Sequence, residues 1–242
     1  MSCAFDKYFR KIQLTRFHAR AFILSEVVSR NDLIELVRKN KFPEEEISHS
    51  ISVADVALRI CDAVISSGLR VDKDVVEKGA LLHDIGYLRL KGELVELPEW
   101  KPYGIKFPSD DINHPSLGEI IVRDWGFTQE VADCVLKHNI GGFTLSECKL
   151  LKIDPMPTKD CAARTLEQKV VHFADHLILL ERIKINPFED PQASAGAVFP
   201  WLRYNFAERA NMNITIDSPV VQREVTLNRE LCKYVKPSWI GM

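Results

Sequence analysis

The sequence predicts an all-α fold, and two kinds of signal carry this prediction. Apolar residues recur at helical spacing in several segments, as they do at Val53, Val56, Ile60 and Val64. Helix starts are marked by Pro43 before three glutamates and by a capping-box pattern over residues 165–168. Both signals are typical of a bundle whose helices turn one apolar face inward.

The chain is expected to form one domain with appendages, since 242 residues suffice for one substantial core. We predict a helical N-terminal extension over residues 1–42, a domain over residues 43–186, and a C-terminal extension over residues 187–242 that packs on the domain. Three prolines and two glycines interrupt any helical period in residues 90–113. This stretch is therefore predicted to be a loop or a small hairpin inserted into the domain.

Composition argues against several classes of partner. The 32 basic and 34 acidic residues nearly cancel, so no electrostatic attraction to nucleic acid or to an anionic membrane is expected. No apolar run approaches the ~20 residues that a membrane-spanning helix needs. The six cysteines form no C-x-x-C pair and suit a reducing compartment. We therefore expect a cytoplasmic protein without a membrane or nucleic-acid partner.

The chemistry of the chain is concentrated around residues 81–87, LLHDIGY. An imidazole and a carboxylate stand side by side at His83 and Asp84, after an apolar helical run and before a glycine. Both side chains are good ligands for a cation. Taken alone, the pair has a simpler interpretation, in which Asp84 bonds nearby backbone and His83 fills the edge of the core.

Four further residues favour a metal site over that interpretation. His49, His114, His138 and Asp175 each fall on a different predicted helix, on the same face as its apolar stripe. Burying these groups without a shared cation would be costly, because an unpaired buried carboxylate costs several kcal/mol. His172 could orient a ligand from the helix of Asp175, while His176 is expected to point elsewhere. The predicted metal ligands are His49, His83, Asp84, His114, His138 and Asp175.

The order of these residues resembles that of the HD-domain superfamily of metal-dependent phosphohydrolases. Residues 83–86 match the H-D-I-G form of its signature, and the two further histidines match the variant that binds two metal ions. The segment from His138 to Asp175 is similar to a small archaeal group of such proteins. The resemblance covers residues 43–183; it departs from the pattern at Tyr87, where many relatives carry Lys or Arg, and in the insertion.

The resemblance implies a helical HD-domain bundle and a binuclear site. His49, His83, Asp84 and Asp175 would hold one ion and His114 and His138 the other, with Asp84 bridging them as the catalytic residue. Imidazole and carboxylate ligands favour iron or manganese, with cobalt, nickel or zinc as alternatives. The implied reaction is hydrolysis of a phosphate ester or anhydride, expected to belong to a nucleotide or dinucleotide, by a hydroxide that bridges the two ions.

Substrate contacts and the reaction class leave alternatives open. Arg89, Lys91 and Arg164 are candidates to bind a substrate phosphate, because each lies near a predicted ligand in the sequence. Similar ligand sets in other HD proteins support a di-iron oxygenase, so oxidation by dioxygen is one rival. A nucleotide-binding sensor without turnover is another. The C-terminal extension could also build the contact of a homodimer.

Overall fold

The computed structural model describes residues 28–139, 142–186, 188 and 191–236. Residues 1–27 of the N-terminal extension, which the sequence predicts to be helical, lie outside the described residues. The described chain is built from helices and one short hairpin, which confirms the all-α prediction. The α-helices are α1 Arg30–Lys39, α2 Glu44–Ser66, α3 Lys73–Leu82, α4 His114–Asp124, α5 Gln129–Lys137, α6 Leu145–Leu150, α7 Leu166–Ile183, α8 Pro191–Ala210 and α9 Pro219–Cys232.

The two longest helices of the domain begin at the predicted signals. Pro43 caps α2, and three glutamates in its first turn face the positive end of the helix dipole. In α7, the Thr165 side chain accepts from the backbone of Gln168, whose own side chain returns to the cap. Helix α7 therefore starts where side chains satisfy free amides of the first turn, whereas α2 starts at a proline followed by acidic residues and has no side-chain cap.

The core lies between α2, α3, α5 and α7, which pack side by side. Their inward faces bury Ile60, Leu82, Val135, Phe173 and Leu177 almost completely. Helix α4 packs on α5 and on a 3-10 turn, Ile85–Arg89, that follows α3. Burial of these apolar side chains supplies the main stabilising free energy, at about 25 cal/mol per Å².

A glycine lets the His83–Asp84 segment approach α4. A Cβ atom added at Gly86 would lie 1.9 Å from the backbone oxygen of His114 and 2.8 Å from the nitrogen of Gly118. Neither backbone atom can move without displacing α4. The close crossing brings His114 to the end of α3, where His83 and Asp84 stand.

The insertion forms a hairpin pinned to the C-terminal extension. Strand β1, Leu94–Val95, pairs antiparallel with β2, Phe107–Pro108. The Trp100 indole donates to the backbone oxygen of Ala197 in α8 at 3.1 Å, and Phe107 meets Trp100 and Tyr204 edge to face. Trp100 and Phe107 thus have packing partners in the protein itself, whereas Tyr103 is exposed.

The C-terminal helices share the core of the domain. Trp201 and Leu202 of α8 and Val221 of α9 are buried within the same cluster as the helices around His83. Helix α9 packs against α8, and both helices contact α7. Among the described residues, no helix combines the length and apolar character needed to cross a membrane.

We expect Gly86→Ala to destabilise the protein by about 1–3 kcal/mol, the usual cost of forcing extra volume into a packed site. Chemical denaturation at a fixed metal concentration would measure the loss. Gly196→Ala in α8 is the matched control, because a Cβ there meets nothing within 4 Å. That control should be neutral or stabilising by up to about 1 kcal/mol. Equal stability of the two variants would contradict the close crossing at residue 86.

Candidate metal centre

The structure brings all six predicted metal ligands together. On one side, His49 Nε2 lies 3.1 Å from Asp175 Oδ1 and 3.2 Å from His83 Nε2. Asp84 Oδ2 lies 3.1 Å from His83 Nε2 and 3.6 Å from His49 Nε2. We call His49, His83, Asp175 and the Oδ2 atom of Asp84 the first half-site.

The remaining two histidines form a second half-site with the other oxygen of Asp84. Asp84 Oδ1 lies 3.4 Å from His114 Nε2 and 3.5 Å from His138 Nε2, and these two nitrogens are 2.9 Å apart. His83, Asp84 and His138 also fall within reach of one another, so the half-sites adjoin. Asp84 is thus the residue whose carboxylate faces both sets of imidazoles.

Backbone hydrogen bonds determine which nitrogen each of three histidines presents. His83, His114 and His138 each donate from Nδ1 to the carbonyl oxygen three residues earlier, on Ala80, Asp111 and Val135, at 2.7–2.8 Å. A carbonyl oxygen can only accept, so each Nδ1 carries a proton. Each Nε2 then points into the centre, where it can carry a proton toward Asp84 or, without that proton, offer a lone pair to a cation.

The donor set fits divalent transition metals. Atoms bound to one ion at about 2.1 Å lie roughly 3–3.5 Å apart, which is the spacing found in both half-sites. With both Nδ1 protons donated, the Nε2 atoms of His114 and His138 lie 2.9 Å apart in a buried setting, so they either share one proton or present two lone pairs that repel each other. A cation between them removes this repulsion, and no thiolate contributes to the set.

The electrostatics of the centre keep both carboxylates ionised. Burial alone would raise the pKa of Asp84, but the charge of His83 and hydrogen bonds from His138 and His83 hold it well below its usual value. The pKa of Asp175 is lowered in the same way, by His83 and His49 against the effect of burial. Burial lowers the pKa of His138, which favours its neutral, metal-binding form.

A cavity of about 310 Å³ opens over the centre. The His49 and Asp175 side chains are 26% and 29% exposed, whereas those of His114 and His138 are nearly inaccessible. His49 and Asp175 are therefore the ligands most open to the cavity; His114 and His138 also line it but are less accessible, and His83 lies behind the lining residues. The walls come from α2, α7, the insertion and α8, and they include Glu46, Lys106, Arg182 and Trp201.

Two polar networks support the second half-site, one along the cavity wall beside His114 and one behind His138. The Tyr87 hydroxyl and the Trp201 indole both donate to the Asp111 carboxylate, at 2.5 Å and 2.9 Å, and the Tyr87 ring stacks on His114. Behind His138, the His172 ring bonds to the backbone oxygen of His138 and to Glu224 of α9.

The three predicted substrate-binding residues are not brought to the cavity. Arg89 lies 3.5 Å from Asp124, and Arg164 pairs with Asp160 at 2.9 Å with 70% of its side chain exposed. The backbone of Lys91 donates to Asp110, away from the cavity walls. Instead, the cations on the walls are Lys106 and Arg182, which proximity along the sequence did not identify.

Glu224 was also missed from the sequence, although a signal for it exists. It is fully buried on the face of α9 that carries Val220, Val221 and Leu227. An acidic residue on an apolar helix face usually has a buried partner. The pattern does not say which partner, and the structure places His172 and His176 there, at 2.7 Å and 2.8 Å.

A family model described as HD domain matches residues 47–180 of the chain. An uncharacterized protein of Methanocaldococcus jannaschii is 31% identical over 151 residues, covering 62% of this chain and 76% of the relative. Two tRNA (cytidine(56)-2'-O)-methyltransferases also match. The one from Picrophilus torridus is 28% identical over 57% of this chain, and the one from Thermoplasma volcanium 26% identical over 67%. The chain spans only 32% and 40% of their lengths.

Among solved structures, the chain is similar to the HD domain of the L. monocytogenes phosphodiesterase PgpH. The crystal structure of that domain in complex with cyclic-di-AMP is 20% identical and aligns with a TM-score of 0.43, covering 83% of this chain and 95% of the other. A second structure of the same domain aligns with a TM-score of 0.42.

We expect Asp84→Asn to lose two-metal binding while the helices stay folded. An amide carries no charge and has a single acceptor oxygen, so it cannot serve both half-sites. Added Mn²⁺ at 100 times its Kd should stabilise the wild type by about 2.7 kcal/mol, and the variant by much less. Metal analysis after dialysis, circular dichroism and thermal unfolding would measure these effects.

Asp124→Asn is the matched control for this variant, since Asp124 is a surface aspartate on α4. It should retain the metal content and the Mn²⁺ response of the wild type. An Asp84→Asn protein that kept both ions would contradict the bridging position of this carboxylate.

Proposed function

This chain belongs to the HD-domain family, and from that membership and its six converging ligands we propose that it is a metal-dependent phosphohydrolase. The reaction that we propose is hydrolysis of a phosphate ester or anhydride in a small molecule, with a nucleotide or dinucleotide as the expected substrate. Family membership supports the general reaction class. The substrate proposal is based on the cavity described above.

The observation that carries the proposal is the position of Asp84 between the two half-sites. One carboxylate oxygen faces His49 and His83, and the other faces His114 and His138. This arrangement fits two ions that share one carboxylate, which is typical of sites that act on phosphoryl groups. Iron and manganese suit the nitrogen and oxygen donors best.

Two divalent ions at these positions would lower the pKa of a coordinated water and neutralise charge on phosphoryl oxygens. The protein's own contribution is to fix the ligands in place. Protons on Nδ1 of His83, His114 and His138 are committed to backbone oxygens, so the rings cannot turn away. The ionised carboxylates of Asp84 and Asp175 balance the charge of the cations.

The cavity supports a small phosphate compound as the substrate. Its volume of about 310 Å³ is at the lower end of the range for ligand pockets, which suits a ligand of mononucleotide size. Lys106 and Arg182 supply positive charge on the walls, and Trp100 and Phe107 supply apolar surface. If the substrate is a dinucleotide, one of its two nucleotides would lie outside the cavity.

The proposal is tested by a substrate screen on protein with known metal content. Nucleotides, cyclic dinucleotides and simple phosphoesters should be incubated under anaerobic conditions with Mn²⁺- or Fe²⁺-loaded protein, with Asp84→Asn as the negative control. Phosphate or nucleotide release by the wild type alone supports hydrolysis. Absence of hydrolysis together with dioxygen consumption in a parallel aerobic incubation would replace the proposal with an oxygenase, and tight nucleotide binding without turnover would replace it with a sensor.

Lys106 and Arg182 are proposed to contact the substrate phosphate. Lys106 lies 3.5 Å from Glu96, and Arg182 donates to the backbone oxygen of Gly104 at 3.4 Å, so both have donors left for a ligand. We expect Lys106→Gln and Arg182→Gln each to raise KM by up to about fivefold, because an exposed ion pair contributes at most about 1 kcal/mol.

Arg164→Gln is the comparison for these variants, since Arg164 pairs with Asp160 outside the cavity. Its KM should equal that of the wild type. If KM rises for Arg164→Gln and stays unchanged for the two cavity variants, then Arg164, as the sequence predicts, contacts the substrate phosphate and Lys106 and Arg182 do not.

Glu46 is proposed to protonate the leaving oxygen. Its carboxyl lies on the cavity wall, and within the described part of the chain no hydrogen bond or ion pair engages it. Burial raises its pKa above the usual glutamate value, and in the absence of a cation the negative charge of Asp84 adds to this effect. A carboxyl that keeps its proton nearer neutral pH is suited to general acid catalysis.

We expect Glu46→Gln to lower kcat by about 10²- to 10⁴-fold for alkyl phosphoesters, the usual contribution of a general acid. Nitrophenyl phosphoesters should be affected far less, because nitrophenolate leaves without protonation. The control is Glu45→Gln, an exposed neighbour that lines the same cavity. An equal loss of kcat with both leaving groups would exclude proton donation by Glu46.

A further inference from the structure

Both histidines of the second half-site are held from behind by the C-terminal helices. The first chain of contacts runs from Trp201 in α8 to Asp111, whose carboxylate accepts from the indole and from the Tyr87 hydroxyl. The backbone oxygen of Asp111 accepts from His114 Nδ1 at 2.7 Å, and the Tyr87 ring stacks on His114 at 4.6 Å. Trp201 therefore fixes two groups that in turn fix His114.

The second chain runs from Glu224 in α9 to His138. Glu224 Oε2 accepts from His172 Nε2 at 2.7 Å, and His172 Nδ1 donates to the backbone oxygen of His138. A carbonyl oxygen and an ionised carboxylate can only accept, so both ring nitrogens of His172 carry protons. The ring is then a cation, and fully buried Glu224 is its counter-charge.

The charge of Glu224 is supported by its surroundings. Burial by itself would raise the pKa of this carboxyl, but the charges of His172 and His176 and their hydrogen bonds lower it well below the usual glutamate value. Loss of the negative charge would leave His172 neutral, with one ring proton for two acceptors. The hydrogen bond to the His138 carbonyl then competes with the bond to residue 224.

The first half-site is connected to the C-terminal helices through helix packing rather than through hydrogen bonds, since α8 and α9 contact α7, which carries Asp175. Within the described residues, no hydrogen bond or ion pair joins His49, His83 or Asp175 to α8 or α9. His83 is oriented from inside its own helical segment, through the carbonyl of Ala80. The two half-sites therefore differ in which part of the chain holds them.

We propose that α8 and α9 set the metal affinity of the second half-site, with Trp201 and Glu224 as positioning residues that act through Asp111 and His172. This inference rests on the proposed metal centre and deepens it. Docking of the C-terminal helices completes the second half-site, while the first half-site binds its ion without them. The C-terminal extension thus determines whether the centre holds one ion or two.

The test is Mn²⁺ binding to full-length, metal-free protein, followed by equilibrium dialysis and electron paramagnetic resonance. In Glu224→Gln, the weaker of two Mn²⁺ sites should lose affinity by about 10- to 100-fold, the usual effect of removing a partner behind a ligand. The tighter site should stay within about twofold. At one Mn²⁺ per chain the variant should show a mononuclear spectrum, and the exchange-coupled signal of the wild type should need excess metal.

Two further variants keep the test decisive. Trp201→Phe removes the indole donor to Asp111 and should weaken the same site through His114, so the proposal can be tested even if Glu224→Gln does not fold. Glu230→Gln is the matched control: it removes the ion pair of Lys169 with α9, at 2.7 Å, without touching His172. Its two Mn²⁺ affinities should match those of the wild type.

Three outcomes would overturn the proposal. Equal weakening of both sites in Glu224→Gln would mean a general loss of stability. Unchanged affinities in Glu224→Gln and Trp201→Phe would remove both residues from the centre. Three Mn²⁺ ions in the wild type and two in Glu224→Gln would mean that His172, His176 and Glu224, which lie close enough to hold an ion, are ligands themselves.

Because Mn²⁺ binding is measured without turnover, failure of this inference can be told apart from failure of the proposed function. A wild type that binds two ions but hydrolyses nothing in the substrate screen would remove the phosphohydrolase proposal and leave the two-site inference intact.

Discussion

The rest of the centre depends on one carboxylate, because Asp84 is the group that both sets of imidazole lone pairs share. Its two oxygens lie 3.1–3.6 Å from the Nε2 atoms of four histidines. Once the Nε2 atoms have lost their protons, as metal binding requires, their lone pairs repel one another and the anion unless cations lie among them. The packing of α2, α3, α4, α5 and α7 holds this arrangement in place, and bound ions would turn the repulsion into attraction.

Helix ends explain how these histidines can be oriented so uniformly. His83 and His138 directly follow the last residues of α3 and α5, and His114 begins α4 after a 3-10 turn. Carbonyl oxygens near a helix end lack partners within the helix, so they are free to accept from a side chain. The rings of His83 and His138 each use one of these oxygens, whereas His114 Nδ1 shares the Asp111 oxygen with its own backbone N–H.

The convergence of the six side chains could be predicted from the sequence, as could a supporting position for His172, whereas most of the other residues around them could not. A histidine on the apolar stripe of a helix must face the core, so His49 and His138 were identified from periodicity within their own segments. Arg164 illustrates the limit of such reasoning: it lies just before the Asp175 helix in sequence, yet the helix start turns it toward Asp160 and solvent. Lys106 and Arg182 reach the cavity through tertiary packing, which periodicity within one element does not encode.

Stability alone does not explain why Glu224 and His172 form a buried ion pair. Removing two charges from water costs several kcal/mol per ion, and apolar side chains of similar size are often as stabilising or more so. Helix α9 already buries Val221, Val225 and Leu231 on the same face, so an apolar residue at position 224 would extend its core packing. The Glu224 carboxylate, unlike an apolar side chain, can hold the imidazole of His172 in one protonation state and one orientation. In that orientation His172 Nδ1 donates to the backbone oxygen of His138. We therefore assign the ion pair to the support of the metal centre rather than to core packing.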